Sequence, residues 1–283
     1  MNRIRLFSTT TSLCRAGYST VEPVHHLVPI RKSALKPGYK ELLIPKDDIR
    51  SVGYKPKNIQ HDRVNDYYEN QLKSDLMLRL YEHDSETVIG SKLRPWETDS
   101  PYKLYRRARK PKGFYRPQKD IKPVTFKNVP ELTSISINLY SKEALEESWV
   151  NISTRLQIAQ ITNAKPKRIY NKSNVLPWKV RQGKPCGCKV ELVEEDMTQF
   201  LSTLTELVLP RIRTFKGISK KSGDKNGNIT FGLNPDDIKF FPEIENFQDL
   251  YPNLFGFHIT FKTSARTDDQ ARLLLSSLGL PFN

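Results

Sequence analysis

Residues 178–190 read W-K-V-R-Q-G-K-P-C-G-C-K-V, and residues 210–217 read P-R-I-R-T-F-K-G. In the first, Lys179, Arg181 and Lys184 surround a glycine–proline turn, and Lys189 opens an alternating, strand-like run. In the second, Arg211, Arg213 and Lys216 surround an aromatic, Phe215. Cations with short polar residues and aromatics at turns suit a phosphate backbone with unstacked bases. Singly, each segment reads as a solvated charge run; their order and spacing carry the information.

Outward from here the periodicity switches between two and 3.6. Ile135, Ile137 and Leu139 alternate with Ser134, Ser136 and Asn138, which predicts a strand with one buried face. Leu145, Trp149, Ile152, Leu156 and Ala159 step by four and three, which predicts a helix packed on that sheet. Asn163 suits a left-handed end, and Pro166 blocks continuation. Residues 167–170 read as a short strand and 171–185 as a long loop. Cys188, Val190 and Leu192 alternate with Lys189, Glu191 and Val193 in the next strand. Met197, Phe200, Leu201, Leu204 and Val208 mark a helix stopped by Pro210. Ile229, Phe231 and Leu233 suggest a strand, and Phe255, Phe257, Ile259 and Phe261 alternate with Gly256, His258, Thr260 and Lys262. The last helix opens on T-D-D-Q at 267–270, a capping box, and ends before Gly279 and Pro281. Upstream, Tyr68, Leu72, Leu76 and Leu80 recur every four residues on one face of a helix, with Asp62 or Asn65 as cap. Strands interleaved with helices on one face predict an α+β domain with an antiparallel or mixed sheet.

The formal net charge is +15 over 283 residues. Self-repulsion on that scale calls for a polyanionic partner, nucleic acid ahead of a membrane surface. No run of eighteen apolar residues exists, so no membrane span is expected. A hydrophobic fraction of 37% with 19 prolines suits one globular core carrying extended segments. In residues 1–20, Arg3, Arg5 and Arg15 are the only charges, among many hydroxyls. That is the composition of a cleavable mitochondrial presequence and predicts the matrix as destination. Residues 21–60 carry Pro23, Pro29, Pro37, Pro45 and Pro56 and read as an extended arm. The domain is expected at 61–283, interrupted by a basic loop insertion at 82–123. Residues 92–122 hold Trp96, Tyr102, Tyr105, Phe114 and Tyr115. Among them run Arg106, Arg107, Arg109, Lys110, Lys112 and Arg116, expected to contact RNA by charge and stacking.

Catalysis finds no footing. Cys186 and Cys188 have no second ligand pair for zinc. Residues 222–227, S-G-D-K-N-G, lack the order of a phosphate-binding loop and read as a mobile surface loop. Glu194, Glu195 and Asp196 favour a helix start. No H-E-x-x-H or G-x-S-x-G occurs, and neither enzyme activity, metal nor cofactor is expected.

These stretches resemble the universal large-subunit ribosomal protein family usually called L-five. Its K-[IL]-R-[QK]-G-x-P-x-G-x-[KR]-V is met at 179–190, and P-R-I-R-D-F-[RK]-G-[LI] at 210–218. Its glycine-rich region falls at 225–231, F-P-E-I at 241–244, T-[TS]-A-x-[TS]-D-[ED]-x-[GA]-R-x-L-L at 263–275 and L-G-[FL]-P-F at 278–282. A D-Y-Y opening a helix falls at 66–68. The resemblance covers 61–81 and 124–283, with foreign sequence between.

The resemblance implies an antiparallel sheet backed by helices on one face and a place in the central protuberance of the large subunit. There the family holds 5S ribosomal RNA, touches the small-subunit head and extends a loop toward peptidyl-site tRNA. By position that loop is 171–184. The small-subunit bridge is the loop within 218–233, with Ser219, Lys220, Lys221, Lys225, Asn226 and Asn228. RNA contacts are expected from Asn138, Lys165, Lys167, Arg168, Lys172, Lys179, Arg181, Gln182, Lys184, Lys189, Arg211, Arg213 and Lys216, besides the insertion's cations. The expected partners are mitochondrial large-subunit rRNA, P-site tRNA, a small-subunit head protein and neighbouring central-protuberance proteins. A free mitochondrial splicing or assembly factor is the alternative.

Three departures stand out. Tyr140 and Lys142 replace glycines of the family's first strand, Ala164 replaces a glutamine, and Glu191 replaces a threonine. Ala164 donates no side-chain hydrogen bond, and a carboxylate repels phosphate. Binding of 5S RNA in the family manner is therefore not expected.

Overall fold

A computed structural model describes residues 44, 48–51, 54 and 61–283, apart from 98, 105, 114 and 115. The presequence reading and most of the arm lie outside the described residues. The chain divides into two units, Met1–Lys57 and Asn58–Asn283. In the first, the described residues form a turn in which Ser51 N donates to Asp48 O and Tyr54 N to Ser51 O.

The second unit holds five antiparallel strands in the order β2-β3-β1-β5-β4. They are β1 (Leu132–Tyr140), β2 (Lys167–Tyr170), β3 (Pro185–Leu192), β4 (Ile229–Leu233) and β5 (Phe257–Thr263). Every ladder between them is antiparallel, and the expected α+β class holds. Ile135, Ile137 and Leu139 of β1 are wholly buried beside Val190, Leu192, Ile259 and Phe261.

The upstream helix starts at α1 (Arg63–Tyr67), passes through a π-helical turn Tyr68–Leu72 and continues as α2 (Lys73–Leu80). Asp62 caps it by accepting from Asn65 N. A strict four-residue spacing drifts about 40° per step in an ideal α-helix. The wider π turn offsets that drift, so Tyr68, Leu72 and Leu76 share one buried face with Val129 and Leu274. Burial pushes the Tyr68 phenol up to about 12, and its hydroxyl donates to Pro130 O.

The helix α3 (Ser148–Thr162) overturns the expected packing. Trp149, Ile152 and Leu156 are exposed, while Val150, Asn151, Ser153, Thr154, Gln157, Ile158 and Ile161 are buried. Two of the buried polar side chains, Asn151 and Gln157, reach backbone groups outside the helix. Gln157 clasps Phe255, donating from Nε2 to its carbonyl at 2.9 Å and accepting from its N–H at 3.1 Å. The side-chain amide thus replaces a strand partner, and β5 begins two residues after Phe255. Asn163 ends α3 at φ 50°, in the expected left-handed conformation.

Next, α4 (Glu194–Ser202) runs through a π turn, Thr203–Val208, into the short turn Leu209–Arg211. Pro210 sits in this last turn, and the helix ends one residue beyond it, at Arg211. The π turn has already shifted the hydrogen-bond register, and Thr205 Oγ1 donates to the Leu201 carbonyl at 2.9 Å. Thr198 donates to Asp62 at 2.7 Å, tying α4 to the cap of α1. Last, α5 (Asp268–Ser277) is capped by Thr267, which accepts from Gln270 N.

The inverted helix gives two contrasting substitutions. Ile158→Ala is expected to cost about 2–5 kcal/mol as a cavity, and Trp149→Ser within about 0.5 kcal/mol; urea unfolding of both variants reads the difference. Burial also pushes the Cys188 thiol to about 11. At pH 8 about one in a thousand such thiols is ionised, so Cys188 is expected to resist iodoacetamide until the chain unfolds, as peptide mass mapping would report.

Candidate RNA interface

The face of the sheet opposite the helices presents a polar row. Register sets Lys167 beside Lys189, Lys189 beside Asn138 and Asn138 beside His258. All four are exposed. Three were expected at this interface; His258 was not, although the alternation of its strand already put it on the polar face. In the adjoining row Glu191 is not a bare carboxylate. The Lys262 ammonium and the Ser134 hydroxyl both donate to it, and the ammonium holds its carboxyl below the usual range. The expected repulsion of phosphate is thereby muted, and a cation is consumed. Gly187 is required here, because a Cβ would meet Leu139 O at 2.1 Å.

Residues 171–184 form a closed lobe at one end of the sheet. Asn171 N donates to Lys184 O, Gly183 N to Asn171 O, and Val175 bridges to Val180. Gln182 N donates to Asn174 Oδ1 at 2.7 Å. The tip exposes Leu176 (82%) and Trp178 (71%), two apolar side chains that counting cations passed over. Lys165, Lys167, Arg168, Lys172 and Arg181 lie on or beside this lobe in sequence, and none of them is buried. Lys184 stays exposed yet donates to Leu145 O at 2.9 Å, while Lys179 stands 3.9 Å from Glu146.

The second decisive stretch divides its work. Arg211 forms a bidentate pair with Glu245 at 2.6 and 2.8 Å and donates to Phe240 O. It joins P-R-I-R to the helical turn at 242–245, and the pairing holds the Glu245 carboxyl low. Phe215 packs on Phe231 and the core, so it is no exposed aromatic. Arg213 and Lys216 remain exposed. Beyond them the chain end pins the loop: Ile218 N donates to Pro281 O and Asn283 N to Ile218 O.

Residues 219–228, of which 222–227 read as a mobile loop, are hydrogen-bonded around two carboxylates. Asp224 accepts from Asn226 N, Asn228 N and Asn228 Nδ2. Asp268 accepts from Lys225 N and Gly227 N. Ser219, Lys220, Lys221 and Lys225 are exposed around this knot, and Asn226 and Asn228 are half-buried in it.

The insertion is a ribbon closed on itself. Val88 bridges to Ile121 and Arg94 to Arg109, and Asp120 accepts from Gly90 N. Arg106 and Arg109 each stand 4.3 Å from the centre of the Trp96 ring, whose Nε1 donates to Arg107 O. Cations and ring thus stack on each other, where stacking on bases was expected. Of the other ribbon cations expected to contact RNA, Arg107, Lys110, Lys112 and Arg116, none is buried. Of the other rings, Tyr105, Phe114 and Tyr115 lie outside the described residues. Among the described residues no group of three potential ligands could hold a metal, and no helix is long and apolar enough to cross a membrane.

Comparison with known proteins gives these surfaces a setting. The family model for the C-terminus of the ribosomal L-five proteins matches residues 185–282. Large ribosomal subunit protein uL5m of Neurospora crassa is 35% identical over 244 residues, 84% of this chain and 69% of the relative. The protein of the same name from Schizosaccharomyces pombe is 35% identical over 248 residues, 84% of this chain and 86% of the relative. Large ribosomal subunit protein uL5 of Prosthecochloris aestuarii is 42% identical over 154 residues, 54% of this chain and 76% of the relative. The fold, the comparisons and the ordered motifs define a structural ribosomal protein, not an enzyme. The chain belongs to the uL5 family of large-subunit ribosomal proteins, among its mitochondrial members. The uL5m matches are some ninety residues longer than the bacterial one, so sequence beyond the bacterial span is shared with them.

Each exposed cation–π contact is worth about 0.5–1 kcal/mol. Trp96→Ala is therefore expected to speed tryptic cleavage after Arg106, Arg107 and Arg109 several-fold, leaving cleavage after Arg63 and Arg79 unchanged in a timed digest.

Proposed function

We propose that the chain is a structural constituent of the mitochondrial large ribosomal subunit, seated in the central protuberance. It binds large-subunit rRNA through the row Lys167–Lys189–Asn138–His258, the observation that carries the reading. The lobe at 171–184 faces P-site tRNA, and the knot at 219–228 faces a protein of the small-subunit head. The arm at 21–60 and the ribbon at 82–123 contact rRNA or neighbouring proteins of the protuberance. Residues 1–20 direct import to the matrix and are then removed. The mechanism is positioning: cations neutralise phosphates, and the hydrogen-bonded sheet supplies a stiff frame. Ala164 and the Glu191–Lys262 pair leave little for 5S RNA to grip, so it is not held in the family manner.

Sedimentation of the tagged chain from mitochondrial lysate in high salt, with RNA crosslinks mapped in the heavy fraction, tests this. Co-migration with the large subunit and crosslinks at 105–116 and 171–184 are expected; migration near the top of the gradient would favour a free RNA-binding factor. In vitro, Lys167→Glu with Lys189→Glu should weaken binding to large-subunit rRNA and flatten the log–log salt slope by about 2. Tight binding to a 5S transcript, abolished by Asn138→Ala, would contradict the 5S assignment.

A further inference from the structure

The outer stripe of α3 is apolar and uncovered: Trp149, Ile152 and Leu156 are 46, 52 and 58% exposed. They recur at i, i+3 and i+7, so they line one side of the helix. Beside them Ile152, Leu156 and Ala159, with Ala164 and Pro166 of the turn after the helix, wall an open groove of about 380 Å³. Such a patch on a domain that buries its core elsewhere marks a docking surface. The groove also has a sign. Arg155 and Lys165 line it and no carboxylate does. The Arg155 Nε is shut off from solvent and finds no hydrogen-bond partner.

We propose that this groove receives an amphipathic segment of a neighbouring protein, with apolar side chains seated along Ile152 and Leu156 and a carboxylate paired with Arg155. A carboxylate matches the guanidinium fork and complements the two cations that line the groove. Docking one apolar helix face into such a groove is a common recognition mode. RNA fits less well: phosphates would satisfy the two cations and leave the aliphatic wall wet. The stripe lies on the side of α3 turned from the sheet, whereas the polar row lies on the sheet's far face. Both surfaces can therefore be occupied at once. The inference rests on the ribosomal reading only in requiring a neighbour held within an assembled particle.

The test places p-benzoylphenylalanine at Leu156 in the full-length chain, expressed in its own mitochondria, and irradiates sedimented large subunits. The expected product is a protein crosslink mapping to a segment with apolar residues at helical spacing and an adjacent Asp or Glu. Arg155→Glu should lower its yield at least tenfold, and the gentler Arg155→Gln several-fold. A crosslink to rRNA, a crosslink to residues 21–60 of the same chain, or none in particles that contain the chain would overturn the proposal. So would a yield indifferent to both Arg155 variants. If the chain sediments outside the large subunit, the ribosomal reading fails, and the same crosslink, mapped in whichever fraction holds the chain, still decides the groove.

Discussion

Ile135, Ile137 and Leu139 are wholly buried on one face of β1, and Asn138 between them is exposed on the other. This strand pairs on both edges, with β3 and β5, so its register sets theirs. A slip of one residue would turn the aliphatic side chains to water and Asn138 into the core. One constraint therefore holds both the hydrophobic cluster and the polar row. Lys189 and His258 stand beside Asn138 because burial on the opposite face leaves them no other place.

The helix that covers this sheet shows how backbone accounting can outweigh apolar patterning. A buried carbonyl or N–H without a partner costs about as much as a good apolar contact gains. Gln157 closes one such gap at Phe255, and Asn151 donates to Gly187 O at 3.4 Å. Those side chains must face inward, and at helical spacing that turns Trp149, Ile152 and Leu156 outward. The exposed stripe follows from satisfying the sheet's backbone ends.

Electrostatics are shared out in the same way. The sequence carries 46 basic residues against 31 acidic ones. Several cations in or beside the motif stretches have partners within the chain: Arg211 has Glu245, Lys184 the Leu145 carbonyl, and Lys262 Glu191. Exposed ion pairs of this kind add little stability. Their effect is to offset part of the positive charge that a polyanion would meet at these groups, which stay partly exposed.

The sequence by itself determined the family, through ordered motifs, and the strands, through alternation in β1, β3 and β5. It also determined the helix ends at Asp62, Asn163 and Thr267, because such signals are local: one side chain, one dihedral preference, one capping bond. Tertiary structure alone decided which face of α3 is buried, since the backbone groups that Asn151 and Gln157 satisfy lie 36 and 98 residues away. It likewise decided that Arg211 pairs across 34 residues, that two arginines stack on Trp96, and that the loop at 219–228 is knotted by Asp268. Period and composition describe what a segment can do, and the partners brought to it by the rest of the chain select which of those things it does.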